Sequence, residues 1–163
     1  DSDASRETCL IAEKIGLMVA KHGITVVTGG RGGVMEAACR GARNAGGITI
    51  GILPTEKVSD ANKWCSIVIP TGMGHARNVL TVLGGDFIIA LGDAAGTLSE
   101  ICFAWIYNKP ILTLKGYAVW LNKFDGDKLD HRRSEPIVVC ENIDHLEKEV
   151  LSICRKHNLN FIG

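Results

Sequence analysis

The chain lacks a surplus of either charge: its 163 residues carry 18 Lys and Arg against 18 Asp and Glu. With no basic excess there is no global field to draw nucleic acid or an anionic membrane, so any preference for anions has to be built locally. No apolar run approaches the ~20 residues that cross a bilayer, and the first residues do not read as a secretory signal. The expectation is a cytoplasmic protein with neither membrane nor nucleic acid as partner. The six cysteines (Cys9, Cys39, Cys65, Cys102, Cys140 and Cys154) contain no C-x-x-C pair, and most sit inside apolar runs. Buried, reduced thiols and no metal site are expected. Two nucleotide signatures are missing as well, because no glycine turn continues into G-K-S/T and none has the spacing G-x-G-x-x-G.

What is present is a hydrophobic content of 46% in a length suited to one well-buried core. We expect a single domain over residues 1–163. Strand-like runs fall at 24–28, 48–53, 66–69, 87–91, 111–114 and 137–140. A first helix, capped by Asp3 or Ser5, carries Ile11, Ile15 and Met18 at helical spacing and ends at Gly23. Helical patterns follow at 34–44, 75–83, 97–108 and 143–157. The strand runs are continuous Ile, Val and Leu, the pattern of strands covered on both faces. This alternation predicts an α/β, Rossmann-like, doubly wound and mostly parallel sheet with helices on both faces. Folds of this kind normally begin with a strand, and none precedes the first helix, so an N-terminal strand is expected to be absent from the sequence. Two irregular segments, 54–63 and 115–135, read as surface loops.

Three times an apolar run breaks into glycine and opens a helix: ITVVTGGRGGVMEAA, IVIPTGMGHARNVL and FIIALGDAAGTLSEI. The unpaired N–H groups at a helix start, at the positive end of its dipole, favour an anionic group, and glycine lets it come close. Gly29, Gly30, Gly32 and Gly33 bracket Arg31, whose guanidinium is suited to bidentate contact with phosphate oxygens. A strained turn with an exposed arginine is the alternative. Gly72 and Gly74 precede Arg77, a cation placed at the start of a helix, where the dipole opposes it unless an anion is present. A surface salt bridge would also explain Arg77, and His75 reads as a solvent-facing cap. In the third turn Gly96 opens a helix, and Thr97 with Glu100 has the T-x-x-E spacing of a capping box. The other reading of Glu100 is a carboxylate that holds a ribose hydroxyl or assists water at a sugar carbon. Asp93 would repel phosphate yet accept hydrogen bonds from a ribose, a pterin amine or a base.

The segments VVTGGRGGVMEAACRGARNAGGITIGILP and GMGHARN…FIIALGDAAGTLSEICFAWIYNKPILTL, spanning residues 24 to about 114, resemble a Rossmann-like family. It includes the molybdenum cofactor carrier proteins and, more distantly, the LOG-type cytokinin-activating phosphoribohydrolases once called lysine decarboxylases. In those hydrolases a Pro-Gly-Gly-x-Gly-Thr turn precedes a catalytic glutamate, with an arginine on the preceding helix. The resemblance puts Gly96, Thr97, Glu100 and Arg77 in those places. Gly92, Asp93 and Ala94 stand where the hydrolases have proline and two glycines, which brings the pattern closer to the carrier branch.

Two functions follow from the resemblance. As a carrier, the chain would bind a phosphorylated small molecule, molybdenum cofactor among the candidates, with Arg31 and the glycine turns on phosphate and Asp93 near the heterocycle. As a hydrolase, it would cleave the N-glycosidic bond of a nucleoside 5'-monophosphate. Arg77 would then position the phosphate while Glu100 stabilised an oxocarbenium-like transition state or activated water. A DNA-uptake protein, a further distant relation, is disfavoured by the missing basic surplus. A homodimer or larger homo-oligomer is expected through the helix that carries Trp105 and Tyr107, although core packing explains those aromatics nearly as well.

Overall fold

The computed structural model describes residues 5–118 and 128–159. It falls into two compact units, the first running up to Thr81 and the second spanning Val82–Leu159.

In the first unit, helix α1 (Arg6–Lys21) starts where Ser5 accepts a hydrogen bond from the Thr8 amide at 3.0 Å. It ends at His22, followed by Gly23 at φ 71°, as the sequence predicts. Asp3, the other cap candidate, lies outside the described residues. Helix α2 (Val34–Asn44) packs against α1 through small residues. A Cβ on Gly16 would lie 2.1 Å from the Ala38 carbonyl oxygen, and one on Gly41 would lie 1.9 Å from that of Glu13. The two backbones meet closely enough to bury Ala12, Cys39 and Ala42 completely. Arg40 closes the contact from outside with a 2.8 Å ion pair to Glu13, which holds that carboxyl below its ordinary range.

Strands β1 (Val26–Thr28), β2 (Thr49–Leu53) and β3 (Ile67–Pro70) form a parallel sheet in the order β1-β2-β3, with Val27 opposite Ile50 and Gly51 opposite Val68. The expectation of strands covered on both faces fails for β3. Ile67 and Ile69, two apart and so on one face of the strand, are 49% and 44% exposed, which leaves that face of β3 uncovered among the described residues. The helix expected over 75–83 opens instead as a 3₁₀ turn, Gly74–Arg77, before helix α3 (Asn78–Leu83).

The second unit repeats the strand–helix alternation with β4 (Ile88–Ala90), α4 (Ala95–Ile106), β5 (Ile111–Leu114), β6 (Val138–Cys140) and α5 (Ile143–Lys156). Its sheet is also parallel, in the order β4-β5-β6. The run ILTL occupies the central strand and is buried at every position, as a continuous apolar run should be. Each such Leu or Ile contributes about 1.5–3 kcal/mol by leaving water. Trp105, a candidate for an oligomer surface, is instead 2% exposed within this core, whereas Tyr107 is 45% exposed. The fold is thus α/β and Rossmann-like, with parallel sheets and helices.

Segment 115–135 is not uniformly a surface loop. Residues 119–127 lie outside the described residues, but Arg133 is only 6% exposed. Its guanidinium sits 4.8 Å from the Trp105 ring centroid and donates to the carbonyls of Lys109 and Glu135. Burial lowers the Arg133 pKa, and the Trp105 indole N–H bond to Asp130 at 2.8 Å lowers that of the carboxyl. No described helix is long and apolar enough to cross a membrane.

Candidate functional site

In a parallel sheet the carboxyl ends of all strands share one edge, and in the first unit that edge carries three turns: 29–33 after β1, 54–56 after β2 and 71–74 after β3. The second and third are tied together. Thr71 Oγ1 donates to the Leu53 carbonyl at 2.6 Å, the Gly72 amide to Thr55 O at 3.2 Å and the Gly74 amide to Pro54 O at 2.9 Å. Gly72 and Gly74 take φ values of 66° and 56°, which explains the residue type at both places. His75 is exposed, as expected, but it does not cap: the 3₁₀ turn has Met73 at its N-cap and no side-chain cap.

The chain then turns Arg77 back under the first turn. Arg77 is 8% exposed, and its Nη1 donates to Asn78 Oδ1. A Cβ on Gly29 would lie 2.1 Å from Arg77 Nη2, so glycine stands there because the guanidinium occupies the space. Arg77 and the Arg31 turn, which the sequence singled out separately, are therefore in contact.

The four glycines around Arg31 divide by cause. Gly29 accommodates Arg77. Gly30, at φ 72°, has no room for a side chain either, because its Cβ would meet Leu53 Cδ2 at 2.8 Å and Gly51 Cα at 3.0 Å. Gly33, at φ 67°, is the N-cap of α2 and leaves the helix start without a side-chain cap. Gly32 alone meets little: the nearest atom to its Cβ position is Glu36 Oε2 at 3.9 Å. Arg31 itself is exposed at the tip of the turn.

Sequence reasoning missed Asn62. From the polar segment 54–63, its Nδ2 donates to Gly30 O at 3.1 Å and to Arg31 O at 3.0 Å, while its Oδ1 accepts from the Trp64 amide at 3.0 Å. Its own amide also donates to Gly30 O, at 2.8 Å. Only the composition of that loop pointed to it. Nearby lie Cys39, whose Sγ is 3.5 Å from Thr28 Oγ1, and Cys65, whose Sγ packs on Gly51. Burial pushes both thiols up, Cys65 to about 12. Cys102, by contrast, is exposed, which corrects the expectation of buried thiols at that position.

Asp93, Gly96, Thr97 and Glu100 belong to the second unit, at the turn from β4 into α4. Gly92, at φ 96°, donates its amide to Tyr117 O at 2.6 Å, and Asp93 is exposed. The capping box does not form: α4 begins at Ala95, its N-cap is Ala94 and no side chain caps it. Thr97 thus stands at the third helical position rather than at the cap. Among the described residues no group of three or more His, Cys, Asp and Glu is placed to hold a metal ion.

Comparison with known proteins places these features in a lineage. An uncharacterized protein of Archaeoglobus fulgidus is 42% identical over 113 residues, 69% of this chain and 74% of that one. A cytokinin riboside 5'-monophosphate phosphoribohydrolase of Mycobacterium tuberculosis is 27% identical, covering 94% of this chain and 88% of its own. Among solved structures, the molybdenum cofactor binding protein of Rippkaea orientalis superposes with a TM-score of 0.80 at 32% identity, over 93% of this chain and 90% of that one. The molybdenum cofactor carrier protein of Chlamydomonas reinhardtii gives 0.82 at 29% identity, over 95% and 92%. The SLOG cluster4 family model matches residues 1–146, and the chain belongs to that family.

Proposed function

We propose that the chain binds a phosphate-bearing small molecule at the carboxyl edge of its first sheet, and that it acts as a carrier of molybdenum cofactor. The observation that carries this reading is Arg77: a guanidinium 8% exposed, packed on the first glycine turn beside an α2 start that no side chain caps. A guanidinium held against the turn is placed to add its charge to the turn's main-chain donors when a phosphate binds. Arg77, Gly29, Gly30, Arg31, Gly32 and Gly33, with Gly72 and Gly74 in the neighbouring turn, would hold the phosphate end. The likeness to the binding and carrier proteins supports the cofactor as cargo. In the second unit we propose Asp93, Gly96 and Thr97 as further ligand-contacting residues, with Asp93 able to accept hydrogen bonds from a heterocycle or ribose.

A second reading, cleavage of a nucleoside 5'-monophosphate to the free base, is favoured by one observation. A related mycobacterial protein carries that activity in its name, and Glu100 lies on α4. Glu100 would then act at the sugar. Incubation with AMP separates the two: a carrier releases no adenine, whereas a hydrolase does and loses turnover in Glu100→Gln. Native mass spectrometry of protein purified without added ligand should show a pterin in the carrier case; a ligand without phosphate would contradict both readings.

The exposed residues Leu98, Cys102 and Ile106 recur every four positions along α4, with Tyr107 alongside. We take this stripe as the self-association surface of a homodimer or larger assembly, and a monomer in light scattering would contradict it.

A further inference from the structure

We propose that the cavity at the amino ends of β5 and β6 is a second ligand site, for a short-chain carboxylate whose charged end pairs with Arg133 and whose stem lies on an apolar floor. The site belongs wholly to the second unit and stands apart from the phosphate reading above.

The cavity has a volume of about 200 Å³, and Pro110, Leu112, Pro136 and Val138 line it together with Ile153 from the last turns of α5. Such a floor favours a hydrocarbon stem. Arg133 lines the same cavity although it is only 6% exposed. Its Nη1 donates to Lys109 O at 2.6 Å and its Nε to Glu135 O at 2.9 Å, while the Trp105 ring centroid lies 4.8 Å from the guanidinium carbon. These contacts fix the guanidinium and leave Nη2, with two hydrogens, without a hydrogen bond among the described residues. The carboxylates that share the cavity are engaged elsewhere: Glu135 pairs with Lys156, and Glu149 Oε1 lies 3.7 Å from His145 Nε2. No described carboxylate is within ion-pair distance of Arg133, and burial lowers its pKa. A fixed planar donor that lacks a carboxylate of its own is suited to one brought by a ligand. A phosphate, with three strong acceptor oxygens, asks for more donors than this edge offers.

Amide proton and nitrogen spectra of the full chain, recorded while sodium pentanoate, pentanamide or inorganic phosphate is added, test this. Pentanoate should give saturable shifts at Leu112, Val138 and Ile153 and at the Trp105 indole N–H. Pentanamide, of the same shape but uncharged, should bind about tenfold more weakly. Arg133→Gln should lose that preference. Ser152→Trp keeps Arg133 and brings a ring into the cavity from an exposed position of α5, and it should abolish binding of both probes. Equal affinity for pentanoate and pentanamide, pentanoate shifts that survive Ser152→Trp, or no saturable shift at all overturns the site and leaves the phosphate reading untouched. Phosphate shifts at these residues that pentanoate does not displace overturn the carboxylate as ligand. Should the variants not fold, the comparison of pentanoate with pentanamide in the unaltered chain decides by itself.

Discussion

The turn after β1 and the turn after β4 read alike in sequence, glycines between a strand and a helix, yet they are held in different ways. Around Arg31 the glycines are demanded by what presses on them: the Arg77 guanidinium on Gly29, and Leu53 with Gly51 on Gly30. In the second turn Gly92 is surrounded by little, its Cβ position lying 3.9 Å from Thr97 Oγ1, and only its φ of 96° calls for glycine. The first turn is therefore fixed by tertiary packing before any ligand arrives, and the second by local backbone geometry. In the proposed function this matters because a pre-set turn would bind an anion without first having to order itself.

The difference is sharpest in a pair of alanine substitutions. Gly30→Ala adds a methyl where Leu53 Cδ2 stands at 2.8 Å and also strains a φ of 72°, and it should cost about 2–4 kcal/mol in urea unfolding. Gly92→Ala meets only the strain of its φ, and about 1–2 kcal/mol is expected. Equal losses at the two sites would remove the distinction between them.

Thiol chemistry divides the two units again. Exposed Cys102 should be the first cysteine alkylated by iodoacetamide at pH 8, while Cys39 and Cys65 remain protected, with mass mapping as the readout. Because folding raises the Cys65 pKa from 9.0 to about 12, its contribution to stability is fully present below pH 9 and is lost as pH climbs through about 12. Alkylation of Cys65 at pH 8 as fast as that of Cys102 would contradict its burial. The smallest effect concerns Glu36, the carboxylate nearest Gly32. Glu36→Gln should tighten AMP binding by about two- to fivefold at low salt, measured by calorimetry, and weaker binding would place the anion elsewhere.

Much of the architecture could be read without coordinates, because short continuous apolar runs bounded by glycine have few uses other than buried parallel strands. All six strand positions and the extent of α2 agree with that reading. The reading failed where a neighbour distant in sequence decides the outcome. Ile67 and Ile69 look like core residues, but the face of β3 that carries them is uncovered among the described residues. Thr97 and Glu100 have capping-box spacing, but the chain enters α4 earlier, at Ala94. At the candidate site Arg31 and Arg77 were legible as cations beside glycine. Their contact through Gly29, the clamp supplied by Asn62 and the burial of Arg133 over Trp105 were not, since each joins residues that no local pattern connects.

Arg77 is where the phosphate reading meets its most direct test: calorimetric titration of AMP into the full chain and into Arg77→Met, with thermal melting to establish that the variant is folded. We predict that the folded variant binds at least about tenfold more weakly, in keeping with the loss of a charge-assisted hydrogen bond. A folded Arg77→Met that binds AMP as tightly as the unaltered chain would contradict the site.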